Sequence, residues 1–146
     1  MFKDLKTPSR TNSTILAIDN DLSSLMTLDL LLGSRDYNFI KANHSEEGLN
    51  LLFRHSSDID LILLDIEMRS TSVFEFLPII QNEFSLKHIP TILHGGPPGS
   101  YSTEQLDEMG AKGHISKPFV RTKVLEDIKK VLEKFPYLKE VKPNIN

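Results

Sequence analysis

Leu61-Ile62-Leu63-Leu64, closed by Asp65, constrains the fold of this chain more than any other stretch. Four consecutive aliphatic residues are too few for a free-standing helix, and the absence of alternation marks a strand covered on both faces. In open α/β sheets, ligands and chemistry collect at the carboxyl ends of such strands. This run ends on a carboxylate and is followed by Ile66-Glu67-Met68. Two further runs have the same form. Ile15-Leu16-Ala17-Ile18 ends on Asp19-Asn20-Asp21, and Gly113-His114-Ile115-Ser116 ends on Lys117-Pro118-Phe119. If the three strands share one sheet, two acidic ends and one basic end meet at one edge.

The rest of the chain supplies the helices between them. Residues 1–13 are polar, carry Pro8 and show no sustained period, so a flexible leader is expected there. Thr14–Ile18 is the first strand. Asp21 is placed to cap a helix whose Leu22, Leu25, Leu28 and Leu32 fall on one face, with Gly33 at its end. Phe39–Ala42 is a short second strand. Ser45 opens a helix with Glu46 and Glu47 in its first turn, favourable against the helix dipole, and Leu49, Leu52 and Phe53 form its apolar stripe.

After the central strand, Ser72-Val73-Phe74-Glu75 reads as a capping box for a third helix. Pro78 removes a donor inside that helix, so a kink or a later start is expected. Pro90–His94 is the fourth strand, with proline where a strand tolerates it. Gly95 to Ser100 form a loop, and Ser102-Thr103-Glu104-Gln105 is a second capping box, for a short helix stopped by Gly110. Gly113–Ser116 is the fifth strand. Val124, Leu125, Ile128, Val131, Leu132 and Phe135 then give a helical stripe, and residues 136–146 are a short polar tail.

Strands alternating with helices imply a single doubly wound α/β domain, residues 14–135, with a five-stranded parallel sheet covered on both faces. The expected strand order is 2-1-3-4-5, which puts Asp19, Asn20 and Asp65 side by side at the switch point. The totals agree. A chain of 146 residues with 39% hydrophobic and 25% charged residues is one ordinary globular domain. No apolar run approaches the ~20 residues of a spanning helix, and there is no signal-peptide core. With no cysteine there is neither a disulfide nor a thiolate metal site, and the cytoplasm is the expected location. A net charge of −3 does not argue for a nucleic-acid surface.

Three pieces carry a family resemblance: Ile18-Asp19-Asn20-Asp21, Leu63-Leu64-Asp65-Ile66-Glu67-Met68, and Met109-Gly110-Ala111-Lys112-Gly113-His114-Ile115-Ser116-Lys117-Pro118-Phe119. In order and spacing, the chain from about Thr14 to Phe135 resembles the receiver domain of two-component response regulators, with its flavodoxin-like, CheY-like fold. The resemblance implies that Asp65 accepts a phosphoryl group from a histidine kinase or histidine phosphotransfer protein. It implies Mg²⁺ at Asp19, Asn20, Asp65 and the backbone carbonyl of Glu67, Lys117 paired with the phosphoryl group, and a cis bond before Pro118. The surface of the fourth helix, fifth strand and fifth helix is the implied face for a downstream protein target, and a homodimer is a separate possibility. Phosphoryl transfer is largely positioning and charge neutralisation, which suits two carboxylates, a divalent cation and a fixed ammonium.

The departures are as specific as the matches. The family usually has a second acid after strand 1; here it is Asn20, whose uncharged amide weakens Mg²⁺ binding. The Ser or Thr switch at the end of strand 4 falls on Gly95, followed by Gly96, and the aromatic switch falls on His114. Val73 stands where the family commonly has glycine. The histidines (His44, His55, His88, His94, His114) lie on separate elements without metal-ligand spacing, and apart from His114 they are expected to be structural or on the surface. Lys129, Lys130, Lys134 and Lys139 read as a solvated face that complements the helix dipole.

The leading expectation is therefore a stand-alone receiver, a phosphoprotein in a two-component phosphorelay acting by protein contact. It is not an enzyme beyond its own phosphorylation and dephosphorylation. The alternative is a phosphorylation-independent, degenerate receiver serving as a protein-binding module. A haloacid-dehalogenase-like phosphatase would want Asp-x-Asp, whereas this chain has Asp65-Ile66-Glu67.

Overall fold

A computed structural model describes residues 12–32, 37–69 and 71–136. Five strands and five helices alternate: β1 Ser13–Ile18, α1 Leu22–Leu32, β2 Tyr37–Ala42, α2 Ser45–Arg54, β3 Leu61–Asp65, α3 Val73–Asn82, β4 Thr91–His94, α4 Thr103–Met109, β5 Gly113–Ile115 and α5 Arg121–Lys134. The sheet is parallel with the order β2-β1-β3-β4-β5, as the strand lengths and crossovers predict. The expected leader and tail fall outside the described residues, except for residues 12, 13 and 136, and so do Gly33 and Lys139.

Alternation along the strands divides the core in two. Leu16, Ile18, Ile62, Leu64 and Leu93 face a cluster with Leu52, Val73, Phe76 and Leu77 from α2 and α3. Ile15, Ala17, Leu61, Leu63, Ile92 and Ile115 face α1 and α5 through Leu25, Leu28, Leu32, Val124 and Ile128. Complete burial of such side chains contributes about 1.5–3 kcal/mol each, so the central strands anchor the whole layer. Continuing the same parity past the last aliphatic residue puts Asp19, Asp65 and His94 on the α1/α5 side.

Several local expectations change in the fold. Leu22 does not share the buried stripe of α1, because it opens the helix and is 59% exposed. Phe53 is exposed on α2, where the buried line instead runs through Ser45, Gly48 and Leu52. The side chain of His44, just ahead of that helix, accepts from Glu47 N at 3.3 Å. Helix α3 starts where its capping box puts it, with Glu75 Oε1 accepting from Ser72 N at 3.3 Å, and continues past Pro78. Pro78 and Phe74, whose carbonyl loses its helical donor, both lie on the exposed side, where water can take that bond. The second capping box forms as expected, and Gly110 ends α4 with φ 87°.

Candidate functional site

The carboxyl ends of β1, β3 and β4 and the loop after β5 build one pocket. Register decides its composition. Ile18 pairs with Leu64, so Asp19 and Asp65 follow at neighbouring strand ends, and Asp65 pairs directly with His94. Asp19 and His94 are fully buried, and Asp65 is 4% exposed. Lys117 reaches in from the β5–α5 loop, with Nζ donating to Asp19 Oδ2 at 3.2 Å, and the Lys117-Pro118 bond is cis. The loops are tied together beneath it: Gly95 N donates to Ile115 O at 2.9 Å and Lys117 N to Gly96 O at 3.2 Å.

Each acid is oriented by its own turn. Asp19 Oδ1 accepts from Asp21 N at 2.8 Å, and Asp65 Oδ1 accepts from Glu67 N at 3.1 Å. Burial pushes the Asp65 carboxyl up to about 6; the Glu67 amide opposes this and the neighbouring Asp19 carboxylate adds to it. His94 is held down to about 4, because burial outweighs the Asp19 carboxylate and the Ile18 main chain, both of which favour its proton. Asp21 is committed to α1: its carboxylate accepts from Ser23 N, Ser23 Oγ and Ser24 Oγ, which lowers its pKa.

The expected site residues separate into those that converge and those that do not. Asp19, Asp65 and Lys117 come together. Asn20 lies beside them in sequence, but its amide is engaged elsewhere, with Nδ2 donating to Asn43 O at 3.1 Å and Oδ1 accepting from Arg69 N at 2.7 Å. Gly95 does abut Asp65: a Cβ there would lie 2.9 Å from Asp65 Oδ1, and its φ of 107° is left-handed. His114 Nε2 is 2.7 Å from Gly95 O, and its ring meets Tyr101 edge-on with centroids 5.7 Å apart.

His94, expected to be structural or on the surface, is fully buried beside the two acids. Its Nδ1 lies 3.7 Å from Asp19 Oδ2, and one ligand atom from each of Asp19, Asp65 and His94 falls within 4.8 Å of the others. Sequence spacing hid this group because its members come from three strands. Strand parity, which sets His94 on the face of Ile92, was the signal that could have found it.

A response regulator receiver domain model matches residues 15–129. The chain belongs to the receiver-domain family. It is 30% identical over 122 residues to the polar-differentiation response regulator DivK of Brucella ovis, covering 84% of this chain and 97% of that one. The DivK of Brucella anthropi is equally similar over 120 residues. Among solved structures, the chemotaxis response regulator CheY4 of Vibrio cholerae superposes with a TM-score of 0.75 at 23% identity, over 84% of this chain and all of that one. A response regulator receiver domain from Methanospirillum hungatei gives a TM-score of 0.72 at 24% identity, over 90% and 98% of the two chains. Receivers are signalling domains of two-component systems rather than enzymes in the usual sense, and phosphorylation on aspartate is general among them. They work with histidine kinases and phosphotransfer proteins and hold Mg²⁺ in an acidic pocket. Here the pocket has a fixed lysine, two buried acids, an additional imidazole and no hydroxyl at position 95. Among the described residues no helix is long and apolar enough to cross a membrane.

Proposed function

We propose that this receiver is a stand-alone cytoplasmic phosphoryl acceptor, with Asp65 taking the group from a phosphohistidine donor. The P–N bond of the donor breaks as a P–O bond forms to a carboxylate oxygen of Asp65. With its carboxyl at about 6, Asp65 is largely ionised at neutral pH and able to attack. Lys117 moves little to meet the new charge, since its ammonium already sits 3.2 Å from the adjacent Asp19. That contact is the observation that carries the reading. At an effective dielectric near 20, opposite unit charges about 4 Å apart attract by roughly 4 kcal/mol before desolvation is subtracted.

The donor set accommodates Mg²⁺ at a minimum: two carboxylates, from Asp19 and Asp65, with the Glu67 carbonyl and retained water completing the shell. The ion's contribution is neutralisation of the phosphoryl oxygens. Asn20 adds neither charge nor a free amide oxygen, so the affinity for Mg²⁺ is expected to be weaker than in a receiver with a third acid.

The test is treatment of the full chain with a small phosphodonor and Mg²⁺. A mass gain of one phosphoryl group that is lost in Asp65→Asn supports the reading. The second reading, a protein-binding module that no longer responds to phosphorylation, is favoured by Gly95, which offers no hydroxyl beside Asp65. Absence of labelling under conditions that label an ordinary receiver would decide for the module. In either case the α4–β5–α5 surface is the proposed partner face, for a downstream target or a second copy.

A further inference from the structure

Phosphoryl acceptance at Asp65 leaves His94 without a task. The ring is fully buried, and neither nitrogen reaches a partner at hydrogen-bonding distance and angle. Buried polar groups are normally paired, so an unpaired imidazole calls for an explanation. It is held edge-on against Phe119, with ring centroids 5.7 Å apart, and its Nδ1 faces the Asp19 carboxylate at 3.7 Å. With a carboxylate oxygen from each of Asp19 and Asp65, one nitrogen of the ring completes a set of three ligand atoms within 4.8 Å of one another. The two carboxylates meet the minimum for Mg²⁺, but an imidazole beside them favours a softer ion. Mg²⁺ takes oxygen, whereas imidazole suits Zn²⁺, Co²⁺, Ni²⁺ and Cu²⁺, and at a mixed N/O site affinities generally follow the Irving–Williams order. The oxygen donor that could have tipped the pocket back toward Mg²⁺, the Asn20 amide, is tied to Arg69 and Asn43.

We propose that Asp19, Asp65 and His94 form a site that binds a borderline divalent transition ion of the Zn²⁺ or Co²⁺ type in preference to Mg²⁺. The inference concerns the pocket of the proposed phosphoryl acceptor and specifies its cation.

The experiment uses the full chain freed of metal by a chelator, titrated calorimetrically with Zn²⁺ and with Mg²⁺. Co²⁺ is followed in parallel by its visible ligand-field absorption. Zn²⁺ is expected to bind with one equivalent and on the order of 100-fold more tightly than Mg²⁺. His94→Leu should lose at least about tenfold in Zn²⁺ affinity and the Co²⁺ band, while its Mg²⁺ affinity stays unchanged. His55→Gln, altering the residue after α2 at the other end of the sheet, should change none of these. Zn²⁺ binding no tighter than Mg²⁺, or equally tight in a folded His94→Leu, overturns the proposal. Should that variant not fold, the wild-type Co²⁺ spectrum decides, and a spectrum indistinguishable from the aqueous ion overturns it. Phosphodonor labelling in Mg²⁺ on the same preparation separates the two readings. Labelling without Zn²⁺ preference removes the transition-metal site alone, and Zn²⁺ preference without labelling removes the phosphoryl acceptor alone.

Discussion

Asp65 and His94 have pKa values shifted in opposite directions over the same pH range. The Asp65 carboxyl is raised from 3.8 to about 6. Stability from its protonated form is therefore fully present below the unfolded value and lost as pH rises through about 6. His94 is lowered from 6.5 to about 4, so its contribution is present above the unfolded value and lost as pH falls through about 4. In metal-free buffer the two trends offset one another. The Asp65 shift corresponds to roughly 3 kcal/mol unscreened, and its place at the pocket rim reduces that to about 1–2 kcal/mol. Asp65→Asn should thus exceed wild type by ~1–2 kcal/mol at pH 7 in urea unfolding, an advantage that vanishes by about pH 4. A difference independent of pH would refute the assignment. Gly95 makes a second case at this scale. Gly95→Ala must hold φ near 107° and press its Cβ to 2.9 Å from Asp65 Oδ1. A loss of about 1–2 kcal/mol is expected from the left-handed backbone alone, measured by the same unfolding experiment. A neutral substitution would show that the loop relaxes.

At the scale of elements, α2 lies closer to the sheet than its sequence suggests. Its buried line passes through Gly48, where a Cβ would lie 2.6 Å from Ile18 Cδ1 and 3.4 Å from Ile18 Cγ2. Glycine inside a helix costs about 1 kcal/mol relative to alanine, so propensity alone favours Gly48→Ala. Ile18 is fully buried against that position, and overpacking of this kind typically costs 1–3 kcal/mol. The steric effect wins. Gly48→Ala should destabilise by ~1–2 kcal/mol, and Ile18→Val, which removes Cδ1 but keeps Cγ1 at 2.9 Å, should recover only part of that loss in the double variant. Additive losses would mean that the two side chains do not meet. The same packing explains why Phe53 is exposed although the 3.6-residue period puts it near the apolar stripe. Gly48 and Ser45 bring the helix down on one narrow line, and Phe53 lies off it. Period finds the helix; small residues decide which way it leans.

For the molecule as a whole, the parallel order, the two-sided core and the meeting of Asp19, Asp65 and Lys117 could all be read from strand ends. Runs such as Leu61–Leu64 leave few topologies open. Harder to read were pairings that arise across elements: His94 opposite Asp65, which strand parity alone signals, and the Asn20 amide spent on two loops. Those pairings bear on whether occupancy of the pocket is felt at a distance. A hydroxyl at position 95 could swing toward a phosphoryl group and form a hydrogen bond to charge, a contribution of about 1.5–3 kcal/mol, or roughly one to two decades in a switching equilibrium. Gly95 has no such group, and its loop is already fastened to the β5 side through Ile115 O, His114 Nε2 and Lys117 N. A ligand that does not discriminate between two arrangements of that loop shifts no population between them. Addition of Mg²⁺ and beryllofluoride should therefore perturb the amide resonances of residues 19–21, 65–67, 95–96 and 117 and leave those of α4, residues 103–109, near their free positions. Large shifts throughout α4 that disappear in Asp65→Asn would mean that the far face responds by a route other than a residue-95 hydroxyl. The contact from Gly95 O through His114 to Tyr101 would then be the first to test, with His114→Ala.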